Sequence, residues 1–150
     1  MSTTTAAIEP LVVSRHFKAP RERVFAAFAS GPLLSQWLGP ANGTVQSCDV
    51  DFKVGGKYRY AFNSPEMGDM AVNGEYREIT PPSKIVFTWQ WEDDEDWAKV
   101  TSVITIDLVA QGAETELRLT QVGFPVQESR DNHGKGWGLC FDRLEGLLAA

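Results

Sequence analysis

The sequence has little of what several common functions require. No apolar run approaches the ~20 residues that a membrane-spanning helix needs, and the first ten residues lack the basic start and apolar stretch of a signal peptide. Lysine and arginine are scattered and number 14 against 20 acidic residues, which gives a net charge of −6. Nucleic-acid binding depends on clustered basic residues. We therefore predict a cytoplasmic protein with no membrane span and no nucleic-acid partner.

Cysteine and histidine are also sparse. The two cysteines, Cys48 and Cys140, lie far apart with no CxxC spacing, so we interpret them as reduced thiols. The two histidines, His16 and His133, belong to no HxH or HExxH motif, and no metal site or cofactor is predicted. A GxSxG motif is missing too, so nucleophilic catalysis has no support in the sequence.

The patterns that are present follow a regular order of secondary structure. A strand is predicted from Leu11 to Pro20. Two short helices follow, one before and one after a break at Ser30, and the second is predicted to carry Leu33, Leu34 and Trp37 and to end at Gly39 and Pro40. Between Thr44 and Val122, six segments alternate apolar and polar residues and are separated by turn signals, which is typical of antiparallel strands. The last segment repeats residues of one helical face at intervals of three and four, which predicts a long amphipathic helix. These residues are Val126, His133, Trp137, Phe141, Leu144 and Leu148.

This order predicts one α+β domain. We expect a seven-stranded curved antiparallel sheet wrapped around the long C-terminal helix, with two short helices after the first strand. At 150 residues the chain fits a single domain over residues 1–150, with residues 1–9 expected to be flexible.

Five stretches carry a resemblance to a known superfamily. They are RHFKAPRERVFAAFASGPLLSQWLGP, CDVDFKVGGKYRY, GEYREITPPSKIVFTWQW, TELRLTQVGF and HGKGWGLCFDRLEGLL. They resemble the SRPBCC (START-like) superfamily and, more narrowly, its AHSA-type branch. The resemblance implies the helix-grip fold, with a cavity between the sheet and the C-terminal helix. Members of the superfamily bind lipids and polyketides, act as cyclases, sequester reactive small molecules, or stimulate a chaperone ATPase.

Large aromatic residues dominate the face that the sheet and the last helix are predicted to share. Together with His133, the residues expected to line a ligand pocket are Trp37, Tyr58, Tyr60, Phe62, Tyr76, Phe87, Trp89, Trp91, Trp137 and Phe141. Rings with polar tips suit a pocket wall, and the same residue types also fill ordinary sheet cores. Both interpretations stay open at this point.

Two further motifs are less informative. Gly134, Gly136 and Gly138 fall near the start of the last helix, and we favour a packing or cavity role because no strand leads straight into them as a phosphate loop requires. The five acidic residues Glu92 to Asp96 lack the ligand pattern of a calcium loop. They are interpreted as a solvated hairpin turn, with Trp97 opening the next strand.

Three functional hypotheses follow. The first is the binding of a small hydrophobic or aromatic molecule between sheet and helix. The second is a cyclase- or hydrolase-like enzyme that uses the same cavity, with His133 as candidate acid/base. The third is a protein-binding module of the chaperone-activator type, for which a chaperone or a second copy of the chain is a possible partner.

Overall fold

A computed structural model describes residues 8–149 of the chain. In chain order its elements are β1 (Leu11–Phe17), α1 (Arg21–Ala29), α2 (Gly31–Leu34), β2 (Thr44–Val50), β3 (Lys57–Ser64), β4 (Gly68–Thr80), β5 (Lys84–Trp91), β6 (Ser102–Gln111), β7 (Glu114–Val122) and α3 (Gln127–Ala149). Residues 1–9 are predicted to be flexible, and residues 1–7 of this segment lie outside the described part.

The seven strands form one sheet in the spatial order β1-β7-β6-β5-β4-β3-β2. Every neighbouring pair is antiparallel, so β2 to β7 form a continuous meander and β1 completes the sheet beside β7. Two short helices follow β1, and the long helix α3 comes last. The predicted α+β helix-grip fold is thereby confirmed.

One side of α3 is buried in the core. Trp137, Phe141, Leu144 and Leu148 are at most 6% exposed, and their spacing of three and four residues places them on one stripe of the helix. This part of the predicted periodicity is confirmed. The pattern's first member, Val126, lies just before the helix and is 38% exposed, contributing its carbonyl oxygen to the first turn.

The connection between β5 and β6 differs from the prediction. Trp97 does not open a strand, because β6 begins only at Ser102. The ten residues 92–101, which we call the β5–β6 segment, instead fold into turns in which the Trp97 amide donates to Asp94 O and the Val100 amide donates to Trp97 O. These turns bring the Trp97 side chain inward, where it is 2% exposed.

Two other element ends are earlier than predicted. β1 ends at Phe17 rather than at Pro20. The second short helix ends at Leu34, so Trp37 lies in the turn that follows it, fully buried with its indole N–H donating to Ala27 O at 3.1 Å. Because an indole ring is large and its N–H must be paired when buried, tertiary contacts decide the position of Trp37.

Within residues 8–149, no helix is both long enough and apolar enough to cross a membrane.

Two leucines of α3 provide a matched test of the buried stripe. Leu144 is 0% exposed and Leu139 is 42% exposed. We expect Leu144→Ala to lower the free energy of unfolding by about 3 kcal/mol, because it removes core contacts and leaves a cavity. Leu139→Ala should change it by less than about 0.5 kcal/mol. Urea unfolding followed by tryptophan fluorescence measures both, and equal effects would contradict the assigned face of α3.

Candidate functional site

The residues predicted to line a pocket come together on the inner side of the sheet. Apart from half-buried Trp91 and His133, all are at most 5% exposed. Their rings form one connected set with centroid separations of 4.5 to 6.5 Å. Most of these pairs are tilted or edge-to-face, the arrangements that aromatic quadrupoles favour. The inner face is thus a layer of touching rings.

Two open depressions lie elsewhere. They measure about 690 and 420 Å³, and Asn73 and Glu92 line both. Because Arg59 pairs with Asn73, and Asn73 pairs with Gln90, these side chains share the outer side of the sheet. Most residues that line the depressions are polar or charged, and the aromatic layer reaches them only through Trp91 in the larger and Tyr58 in the smaller.

His133 has both ring nitrogens engaged. Its Nδ1 lies 2.6 Å from the carbonyl oxygen of Ser129. Its Nε2 lies 2.9 Å from the indole nitrogen of Trp91 and 3.2 Å from that of Trp89. An indole N–H can only donate, so Nε2 must be the accepting nitrogen and Nδ1 must carry the proton. The contacts thus define a neutral imidazole with one tautomer.

Other aromatic rings complete the surroundings of this imidazole. Trp97 and Phe124 each lie 5.4 Å from it between ring centroids. We call Trp89, Trp91, Trp97, Phe124 and His133 the histidine cage. Burial lowers the pKa of His133 below its usual 6.5, because the charged imidazolium is poorly solvated there.

The cage bears directly on the predicted acid/base role of His133. A neutral imidazole has one free ring lone pair, and two indole N–H groups point at it. Taking a proton from a substrate would require breaking both contacts and charging a buried ring. This geometry does not favour general acid/base catalysis, and that role stays a prediction.

The acidic run divides into two parts. Asp93 to Asp96 are exposed, as predicted for a solvated turn. Glu92 is not: its side chain is only 27% exposed and accepts two hydrogen bonds from Arg59, at 2.9 and 3.0 Å, and one from Asn73 at 2.9 Å. The hydrogen bonds from Arg59, above all, lower the pKa of Glu92. Glu92 therefore anchors the β5–β6 segment to the outer side of the sheet.

The same segment is held at a second point. The Gln90 side-chain amide donates to Trp97 O at 2.7 Å, while the Trp97 ring contacts Phe124 and His133. Trp97 and Phe124 are the site residues that the sequence analysis missed. Neither lies in a strand or helix, so no periodic signal was available to assign them to the inner side.

A second polar group lies at the other end of the aromatic layer. Tyr58 pairs across the strands with Gly74 and extends over it, so that its hydroxyl donates to the carbonyl oxygen of Thr88 on β5. A Cβ at Gly74 would stand 2.6 Å from that hydroxyl and 2.0 Å from Thr88 O. A glycine is therefore required here for the close approach.

Tyr76 lies beside Tyr58 and is 2% exposed. Its hydroxyl is the one buried side-chain polar atom within residues 8–149 that has no hydrogen-bond partner. Burial raises the pKa of Tyr76 to about 12, while the nearby hydroxyl of Tyr60 opposes that shift without reaching hydrogen-bond geometry. Burial also raises the pKa of Tyr58 and of Tyr60 well above the usual range. All three hydroxyls are protonated at neutral pH.

Elsewhere in the interior, buried polar groups are paired. The Trp137 indole donates to Gln121 Oε1 at 2.9 Å, Gln121 donates to the Ser102 hydroxyl at 3.1 Å, and Ser102 donates to Val122 O at 2.6 Å. Gln121 and Ser102 are both 0% exposed. This chain of hydrogen bonds fixes α3 on β6 and β7, because breaking any link would leave a buried polar atom unpaired.

Of the three glycines near the start of α3, only Gly134 has a structural explanation. A Cβ at Gly134 would stand 3.2 Å from a side-chain carbon of Leu11, which supports a close-packing role at that position. At Gly136 and Gly138 a Cβ would meet no atom within 4 Å, and the structure gives no reason for glycine there.

The thiols and acidic residues show no sign of metal chemistry. Burial raises the pKa of Cys48 to about 11 and also raises that of Cys140, so both are neutral thiols. Within residues 8–149, no three His, Cys, Asp or Glu side chains are grouped so as to hold a metal ion.

Comparison with known proteins places this geometry in a family. Residues 18–149 match the family described as activator of Hsp90 ATPase homolog 1-like protein. No protein of curated function matches the sequence.

Solved structures of similar proteins cover nearly the whole chain. The CV1439 protein of Chromobacterium violaceum is 28% identical, with a TM-score of 0.83 over 94% of this chain and 97% of that one. The AHSA1 protein SPO3351 of Silicibacter pomeroyi is also 28% identical, with a TM-score of 0.82 over 94% and 98%. A Rhodobacter sphaeroides protein at 22% identity, with a TM-score of 0.80 over 97% and 96%, shows the fold alone.

The histidine cage predicts a pH dependence of stability. The pKa of His133 is lowered in the folded protein. Below about pH 6.5 the unfolded chain therefore binds a proton at this histidine more readily than the folded chain does. The free energy of unfolding should therefore fall as the pH drops below that value. His133→Gln should remove this fall, because glutamine does not titrate, and should cost about 1–3 kcal/mol at neutral pH, because a side-chain amide lacks the imidazole geometry that pairs with Trp89, Trp91 and Ser129 together.

The matched control is His16→Gln, which replaces the exposed histidine on β1. Urea unfolding at neutral and mildly acidic pH compares the three proteins. The control should retain the acid-induced loss. Parallel losses in the wild type and His133→Gln would show that His133 does not carry the effect.

Proposed function

We propose that this protein, which belongs to the family of activator of Hsp90 ATPase homolog 1-like proteins, binds a small hydrophobic or aromatic molecule. The ligand lies between the sheet and α3, against the layer of touching rings. The START-like resemblance supports a ligand in this position, and the composition of the inner face supports its chemical class.

The observation that carries the proposal is the division of the inner face into two halves. On β6 and β7 the fully buried hydrophobic residues are aliphatic, namely Ile104, Ile106, Leu117 and Leu119, each 0% exposed. On β3 to β5 most of the large inward residues are aromatic, and Val72 and Ile85 are the fully buried aliphatic exceptions. The protein thus has an ordinary aliphatic core in one half, which leaves the aromatic half available for another role.

Entry of a ligand requires rings to move, because neighbouring rings in this half already touch. We expect the β5–β6 segment, which closes one end of the aromatic layer, to be the part that moves. It has no strand or helix structure, Asp93 to Asp96 are exposed, and its Trp97 ring closes the end of the layer next to His133. A flat ligand would then exchange ring–ring contacts for ligand–ring contacts of the same kind.

The other two hypotheses receive less support from the contacts. An enzymatic role needs a free nitrogen on His133, and both nitrogens are engaged. Activation of a chaperone ATPase is a property that the family's description attributes to its namesake, and for this chain it stays a prediction. A homodimer partner likewise stays a prediction.

Nuclear magnetic resonance can locate a bound ligand without any substitution. We expect naphthalene, a neutral apolar probe, to shift the indole N–H signals of Trp89 and Trp137 on the inner side. The side-chain amide signals of Asn73 and Gln90, which line the outer depressions, should shift less than these indole signals, because they sense the ligand only through the β5–β6 segment. Two-dimensional ¹⁵N–¹H spectra recorded during a titration of the probe measure both sets.

The reverse pattern would contradict the proposal. If naphthalene shifts the Asn73 and Gln90 amides and leaves the indole signals unchanged, the ligand binds on the outer side. Unchanged signals in both sets up to the solubility limit of the probe would mean that the aromatic layer is a closed core.

A further inference from the structure

The hydroxyl of Tyr76 is an unusual feature of this interior. The Tyr58 hydroxyl is paired with Thr88 O, the Trp137 indole with Gln121, and the His133 nitrogens with Ser129 and two indoles. Only the Tyr76 hydroxyl, among buried side-chain polar atoms of residues 8–149, has no partner. An unpaired buried hydroxyl loses its hydration without compensation. A ligand atom that pairs with it would remove that cost.

The surroundings of this hydroxyl are aromatic. The Tyr76 ring contacts Phe52 edge-on at 5.0 Å, Tyr58 at 5.5 Å and Phe87 at 6.0 Å. Phe52 is itself only partly buried and also contacts Phe25 of α1 at 5.8 Å edge-on. A flat molecule placed here would meet ring faces and edges on several sides, with the Tyr76 hydroxyl within reach.

Two arginines that border the aromatic layer are already paired. Arg59 alternates with inward Tyr58 and Tyr60 and pairs with Glu92 on the outer side. Arg143 of α3 donates to the carbonyl oxygens of Gly39 and Pro40, at 3.0 Å each. Within residues 8–149 no lysine or arginine is buried, so an anionic ligand in the interior would have no balancing cation, and burying an unbalanced charge is costly.

The titratable groups inside are neutral as well. Burial raises the pKa of Tyr76 and of Cys48, and burial lowers the pKa of His133. Each group therefore keeps its uncharged form at neutral pH. This electrostatic character favours an uncharged ligand and agrees with the geometric argument.

We propose that the hydroxyl of Tyr76 is the polar recognition point of the ligand site, and that the ligand is a neutral aromatic molecule bearing one oxygen function, such as a phenol or an aryl ketone. The inference rests on the proposed function and adds to it the substrate class and the residue that selects it. A charged aromatic acid of the same size is rejected.

Three naphthalene compounds separate the possibilities. Naphthalene has no polar atom, 2-naphthol is neutral with one hydroxyl, and 2-naphthoate is an anion at neutral pH. In titration calorimetry on the unaltered protein, the affinity for 2-naphthol should be about three- to tenfold higher than the affinity for naphthalene, as one neutral hydrogen bond allows. The same titration with 2-naphthoate should show no saturable binding.

Tyr76→Phe tests the assigned residue. We expect the variant to bind 2-naphthol no more tightly than naphthalene, because the hydroxyl that distinguishes the two probes is gone. Its thermal midpoint should not fall, because the hydroxyl it loses has no partner. Tyr58→Phe is the stability control, and its midpoint should fall because the hydroxyl it loses is paired with Thr88 O. The ranking of the three probes on the wild type tests ligand class even if a variant folds poorly.

The outcomes are distinguishable. Equal affinity for naphthalene and 2-naphthol, or a preference that survives Tyr76→Phe, overturns the role of Tyr76 and leaves the proposed function standing. Binding of 2-naphthoate as tight as that of 2-naphthol overturns the requirement for a neutral ligand. Failure of all three probes to bind overturns the proposed function itself.

Discussion

The indole and imidazole nitrogens that α3 and β5 bury among aromatic rings find hydrogen-bond partners inside the protein, and these pairings organise the interior. Each indole or imidazole that enters the layer brings an N–H or a lone pair that loses water. His133 accepts hydrogen bonds from the indole N–H groups of Trp89 and Trp91. The indole N–H of Trp137 donates a hydrogen bond to Gln121. These contacts join α3 to β5 on one side and to β7 on the other. The helix therefore has a fixed position over the sheet.

That position determines what the molecule can do. With α3 held in place, the aromatic half of the sheet faces the helix while the outer side carries the charged network of Arg59, Asn73 and Glu92. The β5–β6 segment connects the two sides, since Glu92 is bound outside and the Trp97 ring lies inside. A disturbance at either end of this short segment is transmitted to the other. The proposed ligand would have to act on the inner end.

The sequence predicted those features that follow from local periodicity. Alternation over Lys84–Trp91 correctly gave β5 and its inward aromatic residues, and the three-and-four spacing gave the buried stripe of α3. It could not predict contacts made by irregular segments. The position of Trp97 depends on turns between Asp94 and Val100 and on rings far away in the chain. The pairing of Glu92 with Arg59 joins residues 33 positions apart, so an acidic run alone gave no indication of it.

The central claim is that Tyr76 supplies the hydrogen bond that a neutral aromatic ligand completes. A high-resolution crystal structure of the protein with 2-naphthol tests it most directly. We predict the ligand between the sheet and α3, with its oxygen about 2.5–3.0 Å from the Tyr76 hydroxyl oxygen. A ligand on the outer side of the sheet, or a Tyr76 hydroxyl paired with Tyr60 or with an ordered water while 2-naphthol is bound elsewhere, would contradict the account.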